Sequence, residues 1–284
     1  MHPAPSIIVF TVMSGLGFGM LFWMGIQPAD YSFAAFFLAF ACACGGLMSS
    51  AFHLGNPQRA LKAFTQWKSS WLSREAVLSV AALGFMGIFA AGAVFANVVL
   101  TPFAIIGGML SLVTVGTTSM IYAQMKTVPR WHQWTTPALF LALALTGGAI
   151  FFAGSTIAAL LLVISAGLMV AHWSIGDRKF AESGSDMNTA TGLKHGTVRA
   201  FEPPHTGTNY LMKEMVFTVG RKHATQLRAI SVGLAIVLPV LLVVIGGGAA
   251  LLLALVSHLV GVFASRWLFF AEAEHVVGLY YGQR

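Results

Sequence analysis

Charge is what this sequence has least of. Only 9% of its 284 residues are Asp, Glu, Lys or Arg, against about 25% in a typical soluble domain. So few charges cannot cover a water-facing surface, which excludes a soluble globule and leaves hydrocarbon to cover most of the chain. Cysteine is nearly absent too. Cys42 and Cys44 are the only two, and two residues apart on a helix they face different directions, which argues against a mutual disulfide. A Cys-x-x-Cys-His haem attachment and a cysteine set for an iron–sulfur cluster are both missing. The expectation is therefore no metal site and no haem in this chain. Strand-like alternation of apolar and polar residues is lacking as well, which argues against a membrane barrel.

What fills the sequence is 57% hydrophobic residues, arranged in runs long enough to cross a bilayer as helices, which takes about 20 residues each. Eight spans are expected, roughly over 5–27, 31–54, 75–97, 101–125, 136–154, 156–175, 228–246 and 249–270. The fold class is then an all-α integral membrane protein, one domain over 1–284 built as a helical bundle, with 176–227 as an extramembrane loop. The first run lacks a basic flank and a twin-arginine pair and is long enough to span, so it reads as a membrane helix and not as a cleaved signal.

The connections alternate. Those near 28–30, 98–100, 154–155 and 246–248 contain no Lys or Arg, whereas 55–74, 126–135 and 176–227 are basic. All 16 Lys and Arg residues fall on one side of an eight-span chain. By the positive-inside rule that side is cytoplasmic, with both termini there. The net charge of +7 is thus read as a topology signal, and no nucleic-acid partner is expected. The 176–227 segment reads either as a flexible linker or as a docking surface that orders on a partner, and docking is the preferred reading.

Two polar stretches carry chemistry. His53-Leu54-Gly55-Asn56-Pro57-Gln58-Arg59-Ala60 leaves the second helix, and Leu72-Ser73-Arg74-Glu75 enters the third. Ser73 is a candidate cap for that helix. A histidine that titrates near neutrality, a carboxylate and an arginine at one depth can exchange protons and stabilise an oxyanion. These are the groups a quinone needs. A purely structural His–Glu or Arg–Glu pair explains them equally well. Tyr122, near the end of the fourth helix, can hydrogen-bond a quinone carbonyl or act as an interfacial anchor. Mid-span His258 reads as a satisfied structural histidine, since a haem would need a second histidine at matched depth. Glu272, Glu274 and His275 read either as a proton path or as a solvated helix end, and the solvated end is the preferred reading.

The His53–Glu75 run, the Tyr122–Trp134 run and Phe10-Thr11-Val12 together resemble the dimethyl sulfoxide reductase membrane anchor family. Within it, the one-sided basic loops and the closing Arg266–His275 segment are most similar to the anchors of cytoplasmic sulfite-oxidising molybdoenzymes. The resemblance implies two partner chains that carry the metal cofactors: a molybdopterin catalytic subunit, and an iron–sulfur electron-transfer subunit. It implies that this chain passes their electrons to ubiquinone or menaquinone at His53, Arg59, Glu75 and Tyr122, with no catalytic residue for the molybdenum chemistry of its own. A quinol-oxidising anchor of a terminal reductase is the alternative within the family. A secondary transporter is the alternative of another class, disfavoured because midplane charge is nearly absent.

Overall fold

The computed structural model describes residues 1–52, 56–193, 195–202, 205–216 and 223–282. Among these, all regular structure is helical, and eight helices are long and apolar enough to cross a membrane: α1 (Pro5–Ile26), α2 (Phe33–Ala51), α3 (Trp71–Ala96), α4 (Thr101–Ala123), α5 (Thr135–Phe152), α6 (Ser155–Glu182), α7 (Ala224–Ile245) and α8 (Gly248–Ala271). The expected all-α membrane architecture is the one the chain adopts.

The first helix is the hub. It packs on α2, α4, α5 and α8, and 83% of its apolar window is buried, against 33% for α2 and 28% for α6. Small residues permit this. A side chain on Gly19 would collide with the backbone of Ala144 on α5, and one on Gly25 with the backbone of Ala104 on α4. Without a hydrophobic force between helices in lipid, such close backbone approach supplies the packing energy. The exposed apolar residues lie on the outward faces, among them Phe33 and Phe37 on α2 and Val163 and Ile164 on α6, where lipid would cover them.

Several helix ends differ from the sequence reading. The N-cap of α3 is Ser70, whose Oγ accepts from the Ser73 amide, so Glu75 lies one turn inside the helix and not at its start. The sixth helix continues through Glu182 and α7 begins at Ala224, so 176–227 is helical at both ends. The extension is stabilised by ion pairs at Asp177 that apolar periodicity does not register. In the middle of α7 a π-turn occupies Gly233–Val237, just before Pro239. Proline has no N–H for the carbonyl four residues back, here Ala235. The freed Ala235 carbonyl faces His258 Nδ1 at 2.8 Å, and the Leu234 carbonyl accepts from Ser257 Oγ at 2.7 Å. With Nδ1–H as that donor, the histidine is structurally satisfied by a break in the neighbouring helix.

Both termini lie on one face of the bundle. The Met1 ammonium donates to the Ala273 carbonyl at 2.6 Å, and the His2 amide to the Glu214 carbonyl at 2.7 Å. The long loop is tied to the same face. Asn209 Nδ2 donates to the Tyr281 hydroxyl at 2.9 Å, the Tyr280 hydroxyl donates to the Ala190 carbonyl, and His205 stacks on Tyr281.

Candidate functional site

Glu75 is only 4% exposed although it is a carboxylic acid inside a membrane helix. It is held by the Thr118 hydroxyl of α4, which donates to Glu75 Oε1. The same oxygen also approaches the Thr114 carbonyl at 3.0 Å, so the hydroxyl bridges the carboxyl and its own helix. Tyr122, one turn further along α4, lies within electrostatic reach of both Glu75 and Arg266. Arg266 of α8 is itself only 3% exposed. Its guanidinium stacks on Phe140 at 3.3 Å, and its Nε has no hydrogen-bond partner. At 1.5 Å per residue Glu75, Thr118 and Arg266 sit about 6–8 Å inside the helix ends nearest them, and Tyr122 lies at the last turn of α4. They share the leaflet beside the termini and the long loop.

A cleft lies among α1, α4, α5 and α8, lined by Thr11, Leu16, Thr118, Phe140, His258 and Arg266 among others. Its free volume is only about 20 Å³, so it is a slot and not a chamber. Towards the nearer helix ends an aromatic cluster adjoins it through Phe140, which packs on Tyr122 and Phe269. Tyr122 makes edge contacts with Trp131, Phe269 and Phe270, and Trp131 stacks on Phe269 at 5.1 Å.

Of the four residues expected at the site, the structure brings Glu75 and Tyr122 together. Arg59 is exposed on a 3-10 helix over Pro57–Phe64, and among the described residues no polar contact joins it to the other two. His53 lies outside the described residues. The helix that precedes it, α2, packs on α1 and touches α3 only sparsely. Thr118 and Arg266 escape sequence reasoning. Thr118 resembles any polar residue on a membrane helix, and Arg266 counts among the topology charges. The available signal is its position, five residues before the end of an apolar helix, where an ionisable group is functional by default.

A second polar cluster corrects the reading of Glu272 as part of a solvated helix end. Glu272 is only 5% exposed. Arg228 of α7 contacts it at 2.7 Å and contacts Asp177 of α6 at 2.7 Å. Arg130, in the α4–α5 connection, reaches Asp177 at 2.6 Å and Glu272 at 3.5 Å. Two arginines and two carboxylates thus clamp the ends of α6, α7 and α8. Burial pushes the Glu272 carboxyl above the usual range, and Arg130 and Arg228 offset this only in part. His172 is satisfied by Thr135 Oγ1 at 3.1 Å and stacks on Phe269. No group of three or more potential metal ligands occurs among the described residues.

Comparison with known proteins agrees with the architecture. The chain is 29% identical over 324 aligned positions to a sulfite dehydrogenase subunit from Allochromatium vinosum, with 99% of each chain covered. No solved structure matches it. The model of the family described as DMSO reductase anchor subunit (DmsC) matches residues 1–177. That stretch contains the central helix α1 and the whole Glu75–Thr118–Tyr122 cluster, and the chain belongs to this family of membrane anchor subunits of oxidoreductases.

Proposed function

We propose that this chain is the quinone-reactive anchor of a molybdoenzyme complex that oxidises sulfite on the cytoplasmic side of a bacterial inner membrane. Two partner chains, one holding molybdopterin and the catalytic site and the other holding iron–sulfur clusters, dock on the face formed by the long loop, the Pro57–Phe64 turn and the termini. Electrons arrive from the last cluster of the docked partner, and a quinone takes two of them with two protons to become a quinol. The name of the Allochromatium relative supports sulfite as the electron donor.

The observation that carries this reading is the buried Glu75 carboxyl, held by Thr118 one turn inside the docking face. A carboxyl kept in an apolar bundle with a hydroxyl partner and, among the described residues, no cation paired to it is suited to accept and release a proton. Glu75 delivers one proton to a quinone oxygen, Thr118 positions its carboxyl, and Tyr122 closes the site against water. His53 and Arg59 serve the aqueous side of the proton route.

The test is co-purification followed by turnover. Detergent-solubilised complex isolated through a tag on this chain should contain a molybdopterin-bearing partner and reduce a short-chain quinone with sulfite. A complex that oxidises sulfite with an artificial dye but never with quinone would refute the quinone-reactive role.

A further inference from the structure

We infer that the quinone headgroup seats in the cleft between α1, α4, α5 and α8, entering sideways from lipid past Gly15 and Leu259, with Arg266 as the group that binds its oxygen. The inference rests on the proposed quinone-reactive role and assigns it a seat different from the His53–Arg59 loop.

Arg266 is the first reason. Arg130 and Arg228 are matched by Asp177 and Glu272. Arg266 is only 3% exposed, yet among the described residues no carboxylate lies within 4.0 Å of it, and its Nε is an unsatisfied donor. A buried charge without a partner is costly, so one retained beside a cleft points to a ligand that supplies the missing acceptor. Arginine suits an oxygen that gains negative charge on reduction, and Phe140 fixes the guanidinium plane from one side.

The walls of the cleft say how that ligand arrives. Every lining residue is buried except Gly15 and Leu259. Gly15 faces open space, since a Cβ there meets no atom within 4 Å. The mouth therefore opens between α1 and α8 at membrane depth, while the wall at Phe140 is backed by Tyr122 and Phe269. A mouth at that depth faces lipid, which suits a lipid-soluble ligand. The slot is narrow and mostly apolar, with Leu16, Val262 and Leu259 on its sides, so a flat ring enters as a wedge when these side chains turn. Once inside, the ring lies between the Arg266 guanidinium and Thr118, whose hydroxyl holds the Glu75 carboxyl.

A lipid-soluble carboxylate, such as a fatty acid, would also satisfy Arg266, and the experiment separates the two. An azido-quinone is photolysed with the membrane-bound complex and the labelled peptides are mapped. Label in 11–16 and 258–266, displaced by a short-chain quinone and not by oleate, is the expected result. Label confined to 52–75, or displacement by oleate alone, overturns the assignment. Two variants accompany it. Arg266→Met removes the anchor and should raise the KM for quinone at least tenfold, with Arg266→Lys intermediate. Gly15→Trp plugs the mouth, at a position where the added side chain meets open space, and should abolish the labelling with the complex still assembled. If the wild-type complex reduces quinone and neither variant alters KM or labelling, the seat is elsewhere and the quinone-reactive role stands. If the wild type reduces no quinone, both fall together.

Discussion

Replacing Glu75 by Gln asks whether the buried carboxyl moves a proton or merely fills space. The substitution keeps shape and volume and leaves an amide oxygen to accept from the Thr118 hydroxyl, so the bundle should hold. What disappears is the exchangeable proton. Removing a positioned proton-transfer group typically slows a reaction about 10²–10⁴-fold, equivalent to about 3–5 kcal/mol of barrier. Thr118→Val makes the complementary change. It leaves the carboxyl in place without its hydroxyl, and a buried acceptor stripped of its partner costs about 1–3 kcal/mol, which should register as lower thermal stability in detergent. The assay is sulfite-driven reduction of a short-chain quinone in membranes, normalised to dye-linked sulfite oxidation, which belongs to the soluble partners and reports assembly. A Glu75→Gln complex that assembles and turns over quinone at the wild-type rate would refute the proton-transfer role and leave Glu75 as a structural partner of Thr118.

Four further outcomes are expected. Arg228→Gln should lower the detergent melting temperature, because it leaves the Asp177 and Glu272 carboxylates with only Arg130 between them; partial exposure limits the loss to about 1–3 kcal/mol. The same melting curves carry a pH signature: since burial raises the Glu272 carboxyl above its unfolded value, its contribution is present in acid and lost as pH rises through the raised value, and Glu272→Gln should flatten that slope. Single cysteines after residues 65, 130 and 200 should be shielded from an impermeant thiol reagent in intact cells and react in inverted vesicles; labelling in intact cells would reverse the orientation. Gly19→Val should block folding or lower yield sharply, since the added side chain meets the Ala144 backbone with nowhere to shift, whereas Gly84→Val, which meets open space, should be tolerated.

The eight spans, the common face of the termini and the polar character of residues 53–75 and 122 follow from the sequence alone. Lipid demands about 20 apolar residues per crossing, and that demand is local, so it can be read from one stretch at a time. The depth of Glu75 is not legible in the same way: the sequence sets it at the entrance to the third helix, and the Ser70 cap carries it one turn inside. Only the tertiary structure decided which polar groups meet. Thr118 reaches Glu75 across two helices, 43 residues apart in sequence. Arg266 looks like one more topology charge until α8 carries it beside α1 and α5, with no carboxylate against it among the described residues, while Arg130 and Arg228, its equals in the sequence, are drawn into the clamp with Asp177 and Glu272. The cluster at Tyr122 likewise needs Trp131 and Phe269 from two other segments. Hydropathy records what each residue would rather avoid, and in a bundle held by close helix contacts the partner of a polar group is set by crossing and register, which depend on small residues such as Gly19 and Gly25 meeting their neighbours across space.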